Sequence, residues 1–295
     1  MQINCITLND MSVAAIVSKP QKPELAGILR ELTTWLEEHH YGYILDPDSA
    51  AYLDAPEAIE RPDLPKYKPN LVIVLGGDGT LLAAARAFAR TTTPILSVNL
   101  GSLGFLTEVP LGDLYTTLQD WCDHRADIEV RSMMHAGLHR DGKLLQEWDA
   151  LNDVVITKGT IARMADFMVE IDEQFVAKFR ADGIIVATPT GSTAYNLAAN
   201  GPIVMPNVNA MVATPICPHL LTLRPIVIPG DSSISIRVEG VPNQTYLTVD
   251  GQEAVELLLG DMVHCRRSEY SVRLLRHHPN GLFNVLRSKL KWGER

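Results

Sequence analysis

The stretch Leu71-Val-Ile-Val-Leu-Gly-Gly-Asp-Gly-Thr80 decides the fold of the N-terminal part of the chain. Its continuous apolar run, Leu71 to Leu75, is typical of a parallel strand that is covered on both faces. Three glycines follow the run, and alanines and leucines then predict a helix from Leu81 to Ala89. Turns at the carboxyl ends of strands are where open α/β sheets bind ligands, so this stretch is also the first candidate site.

The segments on either side continue the alternation of strands and helices. Val13 to Val17 and Ile95 to Val98 are apolar runs that predict buried strands. Pro56 to Pro69 is rich in proline and polar residues, which predicts a surface connection. A helix is predicted from Glu24, because apolar residues recur at spacings of three and four: Leu25, Ile28, Leu29, Leu32 and Leu36. Strand, helix and strand together form the βαβ unit of a parallel sheet.

After about Arg125 the pattern changes to short segments with a period of two residues. Phe167 to Ile171 and Ser233 to Val238 predict half-buried strands. Thr193 to Ala199 predicts one short helix, and Phe283 to Trp292 predicts another near the C-terminus. Hairpin turns are predicted at three dipeptides: Asp141-Gly142, Asp172-Glu173 and Asp250-Gly251.

These patterns predict two domains. The first, residues 1–125, is an α/β domain with a mostly parallel sheet, and it carries the glycine loop. The second, residues 126–275, is an all-β, sandwich-like domain.

Composition excludes several classes of protein. The chain has 295 residues, 46% of them apolar, and a formal net charge of −9, which argues against a nucleic-acid or anionic-membrane surface. No apolar run approaches ~18 residues, and no secretion signal is apparent. Four scattered cysteines without a C-x-x-C pair are typical of reduced thiols, so we expect a cytoplasmic protein. Binding of a polyanionic ligand would require local arginines, lysines or a divalent metal.

Asp78 is the unusual residue of the glycine loop. Glycines and a helix N-terminus suit phosphate groups, but no lysine follows them as in a Walker A loop. A carboxylate would repel phosphates, so Asp78 is expected to face a hydroxyl group or a metal ion, as in phosphoryl transfer. A purely structural role in the turn or as a helix cap is equally consistent with the spacing.

The loop Gly76-Gly-Asp-Gly-Thr80 resembles the signature shared by NAD kinases, diacylglycerol and sphingosine kinases, and 6-phosphofructokinases. Leu81-Leu82 follows it here, where lipid kinases usually have Asn-Glu. Further stretches resemble NAD kinases in particular, from about residue 16 to near the C-terminus: Lys19-Pro-Gln-Lys-Pro-Glu24, Asn99-Leu-Gly-Ser-Leu-Gly-Phe-Leu-Thr107, Leu151-Asn-Asp-Val154, Asp182-Gly-Ile-Ile-Val-Ala-Thr-Pro-Thr-Gly-Ser-Thr-Ala-Tyr195, and Cys217-Pro-His219 with Arg224-Pro225.

The resemblance to the NAD kinase family implies a fold and an assembly. It implies an N-terminal α/β domain, a β-sandwich domain and NAD bound between them. It also implies that the C-terminal segment, residues 276–295, returns to the first domain. Members are usually homodimers or homotetramers with subunit contacts close to the NAD site.

The resemblance also implies the site residues. Asp78 would orient the 2′-hydroxyl of the adenosine ribose and take its proton, and Gly79 would let the nucleotide approach. Arg163 and Arg180 would supply positive charge that an acidic chain needs. The full set implied to bind NAD is Asp78, Gly79, Asn152, Asp153, Arg163, Arg180, Asp182, Thr193, Ala194, Tyr195, Asn196, Leu197, Ala198 and Gln252.

Without the resemblance, several of these residues have an ordinary structural explanation. Asn152-Asp153 alone indicates a turn, and a lone Tyr195 indicates packing. Thr188 to Thr193 indicates either a phosphate cradle at a helix start or a capped Ser/Thr-rich turn. Lys158 is a further candidate for the positive charge, while Arg180 on a strand is more often solvated.

The predicted function is transfer of the γ-phosphoryl group of ATP to the 2′-hydroxyl of NAD, which makes NADP. Mg²⁺ is expected to bridge the phosphates, and no side chain is assigned as a direct metal ligand. Two alternatives remain: another kinase of the superfamily, acting on a lipid or sugar phosphate, and a non-catalytic dinucleotide sensor. A coupled assay for NADP separates the three.

Overall fold

The computed structural model describes residues 12–101, 104–159, 164–239, 245–276 and 282–292. The chain divides into two compact units. The first unit combines Met1–Val130 with Val272–Arg295, and the second unit is Arg131–Ser271. No helix among the described residues has the length and apolar character needed to span a membrane.

The first unit is built on a parallel sheet with strand order β2-β1-β3-β4, and β5 pairs with β4. Its strands are β1 (Ser12–Ser18), β2 (Tyr41–Leu45), β3 (Leu71–Gly76), β4 (Ile95–Asn99) and β5 (Val109–Pro110). Its first four helices are α1 (Leu25–Glu38), α2 (Pro47–Leu53), α3 (Asp78–Phe88) and α4 (Leu114–Cys122).

Burial explains why these segments form a parallel sheet. All six residues of β3 and all five of β4 are buried, as the continuous apolar runs predicted. Helix α1 buries its leucine stripe in the same core as β3. The predicted strands and helices of this unit are therefore confirmed, with α3 beginning at Asp78 rather than at Leu81.

The region from Tyr41 to Pro69 has more regular structure than its sequence predicted. Strand β2 and helix α2 lie before it becomes proline-rich, and Arg61–Tyr67 forms a 3-10 helix inside the predicted surface connection. Leu64 of this 3-10 helix is fully buried. Pro56 to Pro69 lies mostly at the surface, as predicted, but its 3-10 helix and the burial of Leu64 were not predicted.

The second unit consists of two sheets that share one hydrophobic core. One sheet has the antiparallel order β13-β12-β11-β8-β15-β16, and the other has the order β10-β9-β14-β17 with β6 on β17 and β7 on β6. Its strands are β6 (Ile128–Arg140), β7 (Lys143–Ala150), β8 (Asp153–Lys158), β9 (Ala165–Ile171), β10 (Gln174–Ala181), β11 (Gly183–Ala187), β12 (Ala210–Ile216), β13 (Ile226–Pro229), β14 (Ile234–Glu239), β15 (Thr245–Val249), β16 (Glu253–Leu257) and β17 (Met262–Leu275).

The predicted sandwich and its turns are confirmed. Phe167 of β9 and Ile156 of β8, from different sheets, are both fully buried in the shared core. Hairpins form at the three predicted dipeptides, each with two consecutive residues at positive φ, from +48° to +74°. The predicted short helix is a 3-10 turn, Thr190–Thr193, followed by α5 (Tyr195–Ala198).

The last helix is α6 (Leu282–Leu290), which confirms the helix predicted near the C-terminus. It belongs to the first unit, where its Val285 and Leu286 are buried. The end of β17 also lies in that unit, and its Leu274 pairs with Ile95 of β4.

Candidate active site

The glycine loop connects β3 to α3 in the first unit. A side chain could not replace the hydrogen of Gly76, since a Cβ there would lie 2.4 Å from the Thr80 hydroxyl. Gly77 precedes the helix in an extended conformation, and its carbonyl accepts hydrogen bonds from the N–H groups of Thr80 and Leu81. Asp78 is therefore the first residue of α3, at the carboxyl end of the buried strand β3.

The Asp78 carboxylate accepts four hydrogen bonds from the second glycine loop. Its Oδ1 accepts the N–H groups of Leu106 at 3.2 Å and Thr107 at 3.0 Å, and the Thr107 hydroxyl at 3.0 Å. Its Oδ2 accepts only one of these bonds, from the Phe105 N–H at 3.0 Å. Asp78 thus joins the two glycine loops, and Oδ2 keeps the greater capacity for a further donor.

The second glycine loop is fixed by its own contacts. Asn99 donates its amide to the Thr107 hydroxyl at 3.0 Å, and it accepts the Gly101 N–H at 2.7 Å. Gly104 lies against the Asp78 carboxylate, because a Cβ at this position would be 2.1 Å from Oδ1. Residues 102 and 103 of this loop lie outside the described residues.

A cleft of about 310 Å³ opens beside the two glycine loops. Lys19, Lys22 and Lys289 line it together with Asp78 and backbone of the glycine loops. Lys22 also forms an ion pair with Glu24, at 3.2 Å. The cleft therefore combines lysine ammonium groups, flexible glycine backbone and the N-terminus of α3, which are the groups that bind phosphates.

Tyr52 of α2 holds the turn that carries two of these lysines. Its hydroxyl accepts the Lys22 N–H at 2.7 Å and donates to the Lys19 carbonyl at 2.8 Å. The Tyr52 hydroxyl thereby connects the two ends of the Lys19-to-Lys22 segment.

In the second unit, Asn152 and Asp153 lie at the start of β8, and both are buried. Burial, and then the nearby carboxylate of Asp250, raise the pKa of Asp153 to about 7. The Asn152 Oδ1 is buried and accepts no hydrogen bond among the described residues. An acidic and an amide side chain with unused hydrogen-bonding capacity could bind hydroxyl groups of a ligand.

The loop from Thr188 to Ser192 packs directly on this pair. The Thr188 hydroxyl donates to the Leu151 carbonyl at 2.6 Å and accepts the Gly191 N–H at 3.0 Å. The Ser192 hydroxyl donates to the Pro189 carbonyl at 2.6 Å, and Val204 N–H donates to it at 2.9 Å. Both hydroxyls are buried and serve the fold of the loop, so they differ from the exposed phosphate donors that the sequence allowed.

The short helix after this loop presents some of its side chains outward. Tyr195 is 45% exposed, and Ala198 is exposed as well. Thr193, Ala194 and Leu197 are half-buried. Asn196 points inward, where its amide donates to the Ser192 and Pro202 carbonyls and accepts the Thr214 hydroxyl at 2.7 Å. The side chain of Asn196 is thus committed to the packing of the unit.

Two charged residues that the sequence indicated in the second unit, Arg180 and Asp182, each form an ion pair there. Arg180 is an exposed residue of β10 that pairs with Asp166, at 3.0 Å from its Nε. Asp182 pairs with Lys158 at 2.9 Å, which accounts for that lysine. Gln252 is exposed after the Asp250-Gly251 turn, and Gly79 is exposed in α3. Arg163 lies outside the described residues.

Sequence reasoning missed the lysines of the cleft and the carboxylate of Asp250. Lys19 and Lys22 stood in a stretch that resembles the family, but their charge was not used. Lys289 gave no local signal, because its position in the cleft depends on how α6 docks in the first unit.

Comparison with known proteins identifies the family. A model of the ATP-NAD kinase N-terminal domain matches residues 14–126, and a model of the ATP-NAD kinase C-terminal domain matches residues 151–277. An NAD kinase of Acidobacterium capsulatum is 60% identical over 281 residues, which cover 95% of this chain and 99% of that protein. An NAD kinase of Koribacter versatilis is 50% identical over 285 residues, or 97% and 100% of the two chains.

A solved structure agrees with this result. The crystal structure of yeast NADH kinase complexed with NADH has a TM-score of 0.87 and 27% identity, and covers 97% of this chain and 89% of that chain. The family models span both units, and the relatives are matched over nearly their full length. The chain belongs to the ATP-NAD kinase family.

Proposed function

We propose that this protein transfers the γ-phosphoryl group of ATP to the 2′-hydroxyl of the adenosine ribose of NAD. The observation that carries the proposal is Asp78, a carboxylate held at the edge of a lysine-lined cleft beside two glycine loops. Family membership over both units supports NAD as the acceptor and ATP as the donor.

The cleft of the first unit supports binding of the phosphoryl donor there. A chain with net charge −9 repels a triphosphate unless positive groups are concentrated locally. Lys19, Lys22 and Lys289 supply such a concentration, and Gly76 and Gly77 let backbone approach the phosphate oxygens. These lysines would add to the positive charge that the resemblance assigned to Arg163 and Arg180.

Magnesium is proposed to enter with the nucleotide. No group of three or more His, Cys, Asp or Glu side chains among the described residues could hold a metal ion. Mg²⁺ usually keeps several waters and binds through one or two carboxylates and the substrate phosphates, which fits a cleft whose lining includes the carboxylate Asp78. When bound, it would neutralise phosphate charge, and we assign no direct protein ligand to it.

For the acceptor, we propose binding by Gly79 and Asp78 of the first unit and by residues of the second unit. Asn152 and Asp153 would bind ribose hydroxyls, and the exposed ring of Tyr195 would stack on a base. The other proposed contacts of the second unit are Arg163, Arg180, Asp182, Thr193, Ala194, Asn196, Leu197, Ala198 and Gln252. Because the Asn196 side chain is buried, its contact would come from backbone.

Asp78 is proposed as the general base. The substrate hydroxyl would donate to Oδ2, which accepts a single hydrogen bond from the described residues, while Oδ1 stays fixed by three. The proton would move to Oδ2 as the hydroxyl oxygen attacks the γ-phosphorus, and the bond from that phosphorus to the bridging oxygen of the β-phosphate would break, releasing ADP. Such a base contributes about 10²–10⁴-fold to the rate, and alignment and charge neutralisation supply the rest.

The test is Asp78→Asn in a coupled assay for NADP from NAD, ATP and Mg²⁺. We expect kcat to fall by about 10²–10⁴-fold, because the variant keeps the size of the side chain and loses the proton acceptor. A wild-type rate in a variant that folds normally, judged by thermal melting, would contradict the assigned role. Absence of NADP formation by the unmodified protein would contradict the proposed function itself.

The assembly and location expected from sequence remain predictions. We propose a homodimer or homotetramer that works in the cytoplasm. Light scattering after gel filtration measures the first property, and cell fractionation measures the second.

A further inference from the structure

Asp250 lies in the turn between β15 and β16 and is not among the proposed contacts of NAD. Its carboxylate accepts hydrogen bonds from three consecutive backbone N–H groups, those of Leu151 at 3.0 Å, Asn152 at 2.7 Å and Asp153 at 3.1 Å. Its own N–H donates to the Asp153 carbonyl at 3.0 Å. With 7% of its surface exposed, Asp250 is bound to the backbone of Leu151, Asn152 and Asp153 through these four hydrogen bonds.

The same backbone is held from its other side by the loop that contains Thr188 and Gly191. Thr188 N–H donates to the Asn152 carbonyl at 2.9 Å. Gly191 lies so close that a Cβ on it would be 2.0 Å from that carbonyl oxygen. The backbone of Asn152 is thus fixed between a carboxylate and a tightly packed loop, whereas its buried Oδ1 has no hydrogen bond among the described residues.

The charge of Asp250 also acts on its neighbour. Asp153 is 4% exposed, and the groups packed around it are mostly uncharged: Ala187 is its partner on β11, and Thr188 follows in the loop. Burial raises the pKa of Asp153, and the charge of Asp250 raises it further. Since that pKa is about 7, Asp153 changes its charge near neutral pH.

We propose that Asp250 is a positioning residue that fixes Asn152 and Asp153 in the conformation that binds the ribose hydroxyls of NAD. This inference rests on the proposed function, in which that pair contacts NAD. An ionised Asp153 accepts hydrogen bonds from two vicinal hydroxyls, whereas its protonated form donates one. The KM for NAD therefore falls as the pH rises through about 7, a transition that burial of Asp153 and, after it, the charge of Asp250 place near neutral pH.

The decisive variant is Asp250→Asn, because an amide removes the charge and cannot accept on both sides. We expect the KM for NAD to rise about tenfold, as for loss of a hydrogen bond to a charged group. The KM for ATP and kcat should change less than about twofold. The pH transition in the KM for NAD should move to lower pH, because Asp153 loses its like-charged neighbour.

Asp172→Asn is the matched control. Asp172 also lies in a hairpin of the second unit, and its carboxylate accepts the Ser233 N–H at 2.8 Å. It is exposed and is not among the residues packed on Asn152 and Asp153 in the structure. Wild-type KM values and an unchanged pH profile are expected for this control.

If Asp250→Asn does not fold, Asp250→Glu keeps the charge and lengthens the side chain by one methylene. That variant should raise the KM for NAD and keep the pH transition near 7. A wild-type KM in either folded variant, or an equal rise in the KM for ATP, would overturn the inference. An unmodified protein that makes no NADP would instead overturn the proposed function, so the two failures are distinguishable.

Discussion

Two aspartates, Asp78 in the first unit and Asp250 in the second, use their carboxylates in nearly the same way. Asp78 accepts three backbone N–H groups and one hydroxyl, and Asp250 accepts three consecutive backbone N–H groups. Their surroundings differ. Asp78 lines a cleft with three lysines, whereas Asp250 is buried beside a second carboxyl group, Asp153.

The difference shows that the surroundings of a carboxylate, rather than its number of hydrogen bonds, decide what it can do. Beside an open cleft, the spare capacity of Asp78 Oδ2 is available to a ligand. Asp250 is buried, so its charge acts on the neighbouring carboxyl group of Asp153 rather than on a bound ligand. Both residues order a loop, but only Asp78 lines the lysine cleft and is proposed to contact the reacting atoms.

The largest expected effect comes from adding a methyl group to the glycines that pack against the Asp78 side chain and against the Asn152 backbone. In Gly104→Ala the new Cβ would meet the Asp78 side chain at 2.1 Å, so that side chain must move. We expect kcat to fall about 100-fold, since a misplaced catalytic group has an effect of this size. Steady-state assays with saturating NAD and ATP measure it.

Gly191→Ala is the counterpart in the second unit. Its Cβ would meet the backbone carbonyl of Asn152 at 2.0 Å, and backbone cannot rotate away as a side chain can. We therefore expect this variant to lose more stability in urea unfolding than Gly104→Ala, in which side chains rather than backbone must move. Equal losses of stability in both variants would contradict the distinction between the two sites.

The next effect concerns stability and pH at Asp153. Its pKa is raised from 3.8 to about 7 in the folded protein, so the folded chain retains a proton that the unfolded chain loses in this range. Stability contributed by this group is therefore full below pH 3.8 and is lost as the pH rises to about 7. The Asp153→Asn variant has no titrating group at this position, so its free energy of unfolding should not show this decrease as the pH rises.

Urea unfolding at pH 5.5 and pH 8 measures this effect. The free energy of unfolding of Asp153→Asn, relative to the unmodified protein, should increase by about 2 kcal/mol between the two pH values. Asp172→Asn is the control, because the pKa of Asp172 is lowered in the fold and its titration is complete below this range. A constant difference for Asp153→Asn would show that Asp153 is ionised at both pH values.

The sequence predicted those parts of the fold that depend on local periodicity. Leu71 to Leu75 is a buried strand because its apolar run has no polar face to expose. Ile95 to Val98 is also buried, and its one polar side chain, Ser97, donates a hydrogen bond to the Leu106 carbonyl. Helix α2 was missed although its signal is local: the Asp46 side chain accepts the Ser49 N–H, and Pro47 is the first helical residue. Recognition of an aspartate cap followed by proline would have found it.

The candidate site was predicted only in part, because some of it is created by contacts distant in sequence. The turn at Asp250 was predicted, but its carboxylate reaches residues 151–153 only because β15 pairs with β8. Lys19 and Lys289 meet at one cleft from opposite ends of the chain. No local pattern indicates either contact.

Tyr52 provides the smallest and most specific test of such a distant contact. Its hydroxyl joins Lys22 N–H to the Lys19 carbonyl, so it positions two lysines of the cleft as Asp250 positions Asn152 and Asp153. Tyr52→Phe keeps the ring and removes both hydrogen bonds. We expect the KM for ATP to rise about fivefold, as for a net loss of about 1 kcal/mol, with the KM for NAD unchanged.

Tyr67→Phe is the control, since Tyr67 is 50% exposed at the end of a 3-10 helix in the same unit. A rise in the KM for NAD in Tyr52→Phe would contradict assignment of the lysine cleft to the phosphoryl donor. If Tyr52→Phe raises only the KM for ATP and Asp250→Asn raises only the KM for NAD, the Lys19-to-Lys22 segment is assigned to the donor and the Asn152–Asp153 pair to the acceptor.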